Sequence, residues 1–206
     1  MLRNSLSALA LIALAGACGD KAFAPGTSTE TAAPGQISTV EGEGEDFQNL
    51  SQELLDKLKD VESQEEASAL EEEIWDAWLV SGSATVDTLM ARGIEYQTVE
   101  DNDGARDAFD RAIAILPDYA EAWNRRAVLF FNVGKYDEAI ADLEYAIQLE
   151  PRHFGAWIGL AMIFESIDRP AAAMRAYEKA LEIHPRLEAA VQGKARLDRV
   201  VNGSPL

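Results

Sequence analysis

The most constraining feature of this 206-residue chain is an internal repeat with a period of 34 residues. Pro117, Pro151 and Pro185 stand 34 positions apart, and the alignment between them needs no gap. A fixed period of this length is typical of a solenoid in which each repeat is one supersecondary unit. The columns that keep a small or a large apolar residue are Ala105, Ala139 and Ala173; Ala112, Ala146 and Ala180; Leu89, Trp123 and Trp157; Tyr96, Phe130 and Phe164; and Phe109, Leu143 and Tyr177.

Each repeat is predicted to form two helices. The small residues let two helices approach closely, Trp123 and Phe130 fill the space between helices, and each proline ends a helix. This pattern resembles the tetratricopeptide repeat, whose units are antiparallel helix pairs. The resemblance implies an all-α, right-handed solenoid of three helix hairpins within residues 83–187, with repeats at 86–119, 120–153 and 154–187.

The chain departs from the family pattern where a Leu-Gly pair is usual. Arg92-Gly93 keeps the glycine, Leu160-Ala161 keeps the leucine, and Arg126-Ala127 has neither. One small residue therefore survives in each repeat.

The two ends of such a stack need covers, because the repeats bury their apolar faces only against neighbours. Residues 46–82 carry two helical apolar stripes and predict an N-terminal helical hairpin cap over the first repeat. Residues 188–201 predict a C-terminal capping helix, and residues 202–206 form a short tail.

The first residues predict an exported protein. A basic residue, Arg3, precedes an apolar run at residues 6–14 that is too short to span a bilayer, and the small residues 15–17 follow it. This order is typical of a secretory signal peptide, so residues 1–17 are predicted to be one. Residues 18–45 are rich in Gly, Pro, Ser and Thr and predict a flexible tether.

Cys18 is the only cysteine and directly follows the small residues of the signal peptide. The segment from Leu14 to Cys18 resembles a bacterial lipobox, although Ala15 stands where that motif usually has leucine. An ordinary cleavage site remains open as the second interpretation. We therefore expect a periplasmic, membrane-anchored lipoprotein acylated at Cys18, with a soluble periplasmic protein as the alternative.

Charge excludes one class of partner. The formal net charge is -18, and residues 41–76 contain 14 acidic and 2 basic residues. Nucleic-acid affinity comes mostly from Lys and Arg that neutralise phosphates, so we expect no nucleic-acid partner.

Catalytic patterns are not found in the sequence. The two histidines, His153 and His184, lie in connections between repeat helices, and no nucleophile elbow, phosphate-binding glycine loop or zinc-binding helix motif accompanies them. We expect a non-enzymatic protein with no catalytic residue, no cofactor and no metal.

The tetratricopeptide resemblance implies that the first helix of each repeat lines a concave groove. The apolar middle of that groove needs a cover. Two covers remain open: the chain's own front hairpin or a second copy, and a helix or extended peptide of another protein. The predicted partner-groove residues are Met90, Ile94, Gln97, Asn124, Arg125, Val128, Phe131, Ile158, Met162 and Glu165.

These observations predict a scaffold or adaptor of the bacterial cell envelope that binds a protein segment in the groove. Ile94, Phe131 and Met162 are the expected hydrophobic anchors, and Asn124 and Arg125 are expected to fix the backbone or charge of the segment. The region from Ile74 to Gly93 also resembles a group of exported proteobacterial repeat proteins. The alternative is a structural subunit that self-associates or assembles an envelope complex without an exchangeable ligand.

Overall fold

The computed structural model describes residues 43–201, and it describes side chains for residues 49–199. The predicted signal peptide, Cys18, most of the predicted tether and the tail lie outside the described residues. The described part of the chain is all-helical. Its helices are α1 Glu43–Leu58, α2 Gln64–Trp78, α3 Ala84–Thr98, α4 Asn102–Ile115, α5 Ala120–Asn132, α6 Tyr136–Leu149, α7 Phe154–Ser166, α8 Pro170–Ile183 and α9 Glu188–Val201.

The helices α3 to α8 form three consecutive helix pairs, which confirms the predicted solenoid of repeats. The second helix of each pair ends in the same way, with a backbone N–H of Leu116, Glu150 or His184 bonded to the carbonyl four residues earlier. A proline follows each of these residues, and it cannot continue the helix because it lacks an N–H. The columns of the repeat therefore correspond to a repeated helix end.

A tryptophan of the next repeat donates a hydrogen bond to the carbonyl of that proline. Trp123 Nε1 donates to the carbonyl of Pro117 at 2.8 Å, and Trp157 Nε1 donates to the carbonyl of Pro151 at 3.1 Å. The same bond at both junctions explains why tryptophan occupies this column in two repeats.

Between the first and second repeats, a charged residue replaces the usual leucine. The guanidinium of Arg126 on α5 lies between Asp110 on α4 and Asp142 on α6, with nitrogen–oxygen distances of 2.7 Å to both. It also lies 4.9 Å from the ring centroid of Trp123. An ion-pair clamp that joins three helices therefore stands at the position where the family usually has leucine.

Helix α9 covers the last repeat with one apolar stripe. Leu187, Ala190 and Leu197 are buried, and Gly193 lies so close to the ring of Tyr177 that a Cβ there would overlap it. Lys194 and Arg196 face outwards and pair with Glu178 and Glu165. A helix with this division is suited to closing a stack of repeats.

The front hairpin, α1 and α2, does not lie where the sequence predicts it. Its contacts run to the turns before α5, α7 and α9: the Trp78 carbonyl accepts from Tyr119 Oη at 2.7 Å, Asp56 pairs with Arg152, and the Val61 carbonyl accepts from Arg186 Nε at 3.0 Å.

The position of the hairpin is explained by the distribution of apolar surface on the repeats. The outward face of α3 exposes polar residues such as Arg92 and Glu95, whereas the second and third repeats present apolar surface to the hairpin. The hairpin shares one core cluster with these two repeats and α9, while the first repeat has its own cluster.

Within residues 43–201, no helix is both long enough and apolar enough to cross a membrane.

Candidate functional site

The candidate site is the surface formed by α3, α5 and α7, the first helices of the three repeats, and we call it the groove. At its centre, between α5 and α7, lies a shallow depression with apolar walls. The side chains of Trp75 and Leu143 lie against the two glycines of its lining. The depression is lined by Ala127, Val128, Phe131, Leu143, Gly155, Gly159, Met162 and Ile163.

One half of the groove is covered. Of the predicted groove residues, Met90, Asn124, Arg125 and Ile158 are buried, with 1%, 2%, 6% and 3% of their surface exposed. The expectation that Asn124 and Arg125 meet an incoming segment needs correction, because both already bond to the carboxylate of Glu121. We call the part around Asn124, Arg125 and Ile158 the covered half, whereas Met90 is buried in the core cluster of the first repeat.

The other half remains partly open to solvent. Along the inner face, the apolar side chains Ile94, Val128, Phe131 and Met162 are only half-buried. Gln97 is half-buried at the first-repeat end. This open half contains all three of the predicted anchors, and the central depression belongs to it.

The last predicted groove residue, Glu165, is engaged at the far end of the open half. It accepts hydrogen bonds from Tyr177 Oη at 2.6 Å and from Arg196 Nη2 at 2.7 Å. Burial raises the pKa of the Tyr177 hydroxyl well above its usual range, and the hydrogen bond to Glu165 adds to this rise. Tyr177 therefore remains a neutral donor, and it ties α8 to α7.

The covered half lies beneath the chain's own helix α2. The ring of Trp78 stacks on that of His153, with centroids 4.1 Å apart and planes 12° apart. Trp75 meets His153 and Phe154 edge-on and lies over Gly155, where any Cβ would overlap the indole. The sequence left several alternatives for the cover. In the structure, the chain's own front hairpin lies on the covered half.

Beneath α2 lies a buried polar network centred on Glu121. Its carboxylate accepts hydrogen bonds from Arg125 Nε and from Asn124 Nδ2, the latter at 3.0 Å. Nδ1 of His153 accepts the Ala156 N–H at 3.1 Å, so the ring proton sits on Nε2, which donates to Glu121 Oε2 at 2.9 Å.

This network sets the charge of Glu121. Burial by itself raises the pKa of the carboxyl, but the charge of Arg125 and the hydrogen bonds from His153 and Arg125 outweigh burial and hold the pKa below its ordinary value. Glu121 is therefore a buried carboxylate neutralised by its own helix and the start of α7.

Sequence reasoning missed the residues that join the hairpin to the groove. His153 and His184, expected only in connections, are both fully buried at this junction, and His184 Nε2 lies 3.2 Å from Glu71 on α2. One available signal was the column Tyr119, His153 and Leu187, whose members are all buried directly before the first helix of a repeat or α9.

Within the described residues, no three His, Cys, Asp or Glu side chains lie together as potential metal ligands. The acidic segment at Asp101 caps α4, because the Asp101 side chain accepts the Gly104 N–H at 3.0 Å.

Paired helices, repeated junctions and a partly open apolar groove define a helical-repeat solenoid. Two tetratricopeptide-repeat family models match the chain, over residues 93–153 and 129–188. A TPR repeat-containing protein of Rhizobium etli is 36% identical over 144 residues, which cover 68% of this chain and 70% of that protein. The chain belongs to the tetratricopeptide-repeat family, whose repeats are protein–protein interaction modules.

Solved structures agree on the fold. The first TPR domain of Spaghetti (RPAP3), solved with an HSP90 peptide, superposes with a TM-score of 0.56 at 20% identity, covering 58% of this chain and 95% of that one. The TPR2B domain of yeast Sti1, in a pHsp70 complex, gives 0.53 at 24% identity and covers 57% and 99%.

Proposed function

We propose that this protein is a non-enzymatic adaptor that docks an apolar segment of another protein in the open half of the groove. The observation that carries the proposal is the row of half-buried apolar side chains, with Ile94, Phe131 and Met162 as anchors. Full burial of such a side chain is worth roughly 1.5 to 3 kcal/mol. Because these side chains are already half-buried, an occupant that covers the row gains the remaining part of this free energy at each of them.

Two further observations support a peptide or helix as the occupant. The depression between α5 and α7 is shallow and apolar, and its lining includes Val128, Phe131 and Met162 of the open half. The solved domains with the same fold include one with an HSP90 peptide and one in a pHsp70 complex.

The experiment compares in-cell crosslinking partners of the wild type with those of Phe131→Glu. The matched control is Val133→Glu, which places the same charge two residues away on a side chain that is already 42% exposed. We expect a partner that is lost with Phe131→Glu and kept with the control. Circular dichroism checks that both variants are folded, and a partner set unchanged by Phe131→Glu contradicts the proposal.

The location that we propose for this activity is the bacterial cell envelope. The pattern of residues 1–17 and the position of Cys18 support export followed by lipid attachment, with a soluble periplasmic form as the alternative. Fractionation of cells that carry Cys18→Ser tests this. Release of the protein from the membrane fraction is expected, and an unchanged membrane fraction counts against acylation.

Self-association is the competing role, in which the same open half holds a second copy. Sedimentation at several concentrations separates the two. A monomer at all concentrations favours the adaptor, whereas a dimer that Phe131→Glu dissociates favours the structural subunit.

A further inference from the structure

Helix α2 lies on the covered half in the manner of a bound ligand. The residues that it contacts are distant in sequence: Trp78 bonds to Tyr119, and Glu71 reaches His184 across 113 positions. Its two indoles, three residues apart on one helix face, supply most of the aromatic contacts. This is the spacing at which an amphipathic helix presents neighbouring anchors to a groove.

The receptor surface fits this helix in shape and in charge. The glycine at position 155 stands where the second repeat has Glu121, and its missing Cβ makes the space that Trp75 fills. Arg125 lies 5.8 Å from the centroid of the Trp75 ring. The turns alongside present Arg152 to Asp56 of the hairpin.

The buried Glu121 network of the receptor is complete without α2. Glu121 takes its hydrogen bonds from Arg125, Asn124 and His153, all of which belong to the repeats. Removing the hairpin would therefore leave this network with its partners, and the bonds lost on the repeat side would be those of Tyr119 to the Trp78 carbonyl and of His184 to Glu71.

The junction between hairpin and repeats is less well satisfied than the Glu121 network. Among the described residues, the buried side-chain nitrogens that lack a hydrogen-bond partner all lie where hairpin and repeats meet: Trp75 Nε1, Trp78 Nε1, His184 Nδ1 and two nitrogens of Arg152, one of which is ion-paired with Asp56. Enclosing such a group costs the hydrogen bond that it makes with water. Opening the junction restores those bonds.

The connection and the outer face of α2 are compatible with release. Residues 79–83 alone join α2 to α3, and Gly82 in this link has a φ of 78°, a backbone conformation that glycine adopts easily. The outward face of α2 carries exposed acids, among them Glu65, Glu72 and Asp76. A released hairpin would therefore keep a charged, water-compatible surface.

We infer that the covered half is a binding site for an acidic amphipathic helix with two aromatic side chains three residues apart, and that α2 is its built-in, exchangeable occupant. A partner helix of this kind binds when α2 leaves. The inference goes beyond the proposed function, because the partner proposed above uses the open half and leaves α2 in place.

The first test measures hydrogen exchange in the full chain by mass spectrometry. If α2 is exchangeable, amides of α1 and α2 exchange at least tenfold faster than those of α5 and α7, through an opening that leaves the repeats protected. If the amides of all four helices exchange together in one global unfolding event, α2 is an integral part of the fold and the inference is overturned.

The second test uses a labelled peptide of residues 62–80 as the probe. A tethered helix competes at an effective concentration on the order of millimolar, so the wild-type chain should bind the peptide poorly. A full-length chain with Trp75→Ala and Trp78→Ala has a weakened occupant and should bind it at least tenfold more tightly. Trp123→Ala, a tryptophan away from the hairpin, is the control and should behave as the wild type.

The peptide itself has a matched control in which both tryptophans are alanine, and this version should not bind. Glu71→Ala is the milder chain variant if the double substitution does not fold, and it should also increase binding. A folded variant that binds neither peptide overturns the inference. Phe131→Glu should leave peptide binding unchanged, so that this inference and the proposed function fail separately.

Discussion

At the scale of single residues, a buried carboxylate organises the covered half of the groove. Glu121 is 1% exposed and neutralised by Arg125, and it also accepts a hydrogen bond from His153. Breaking a buried pair by removing one partner is strongly destabilising, because the other charge stays buried without compensation.

We therefore expect Glu121→Gln to lower the free energy of unfolding at neutral pH by about 3 to 5 kcal/mol. Because the pKa of Glu121 in the folded protein is held below its ordinary value of 4.5, its contribution is present above that value and is lost as the pH falls. Urea unfolding at a series of pH values should show the difference between wild type and variant shrinking in acid.

The control for this prediction is Glu144→Gln on the exposed face of α6. It should change the free energy of unfolding by less than about 0.5 kcal/mol. A variant at Glu121 that is as stable as this control would show that the buried network contributes little.

At the scale of helices, the ion-pair clamp at Arg126 shows how one repeat tolerates the loss of the usual leucine. Burial by itself lowers the pKa of the guanidinium, but the hydrogen bonds with Asp142 and Asp110 outweigh it, so the pKa lies above its ordinary value. The clamp therefore stays charged and connects α4, α5 and α6.

A double-mutant cycle with Arg126→Ala and Asp142→Ala measures this clamp. We expect a coupling free energy of about 1 to 3 kcal/mol, because Asp142 is nearly buried and Arg126→Ala removes the guanidinium that pairs with it. The exposed pair Lys179 and Glu182 gives the comparison, with a coupling below about 1 kcal/mol. Equal coupling in both pairs, measured by urea unfolding, would contradict the clamp.

At the scale of the whole molecule, the excess of acidic residues sets the response to salt. The chain has 36 acidic and 18 basic residues, and the hairpin region is the most acidic part. Like charges repel one another in the compact state. The Debye length, over which this repulsion acts, is about 30 Å at 0.01 M salt but about 8 Å at 0.15 M.

We therefore expect the Tm to rise by several degrees between these two salt concentrations, measured by circular dichroism in sodium chloride. A chain with Glu72→Gln and Glu73→Gln, two exposed acids of α2, should show a smaller rise. A Tm that falls with salt would mean that ion pairs such as the Arg126 clamp outweigh the repulsion.

The sequence by itself determined the repeats. Prolines, alanines and tryptophans at a fixed period specify helix ends, close approaches and junction bonds, and these are local or nearest-neighbour interactions that the 34-residue register contains. The offsets of Ile94, Phe131 and Met162 on the first helices follow from the same register.

Only the tertiary structure decided where the front hairpin lies and which half of the groove it covers. An amphipathic stripe such as that of α2 indicates that one helix face is buried, but it does not indicate which other element that face packs against. The outcome depends on Gly155, His153 and Trp78 meeting across the fold, and contacts between residues so far apart in the chain leave no periodic pattern.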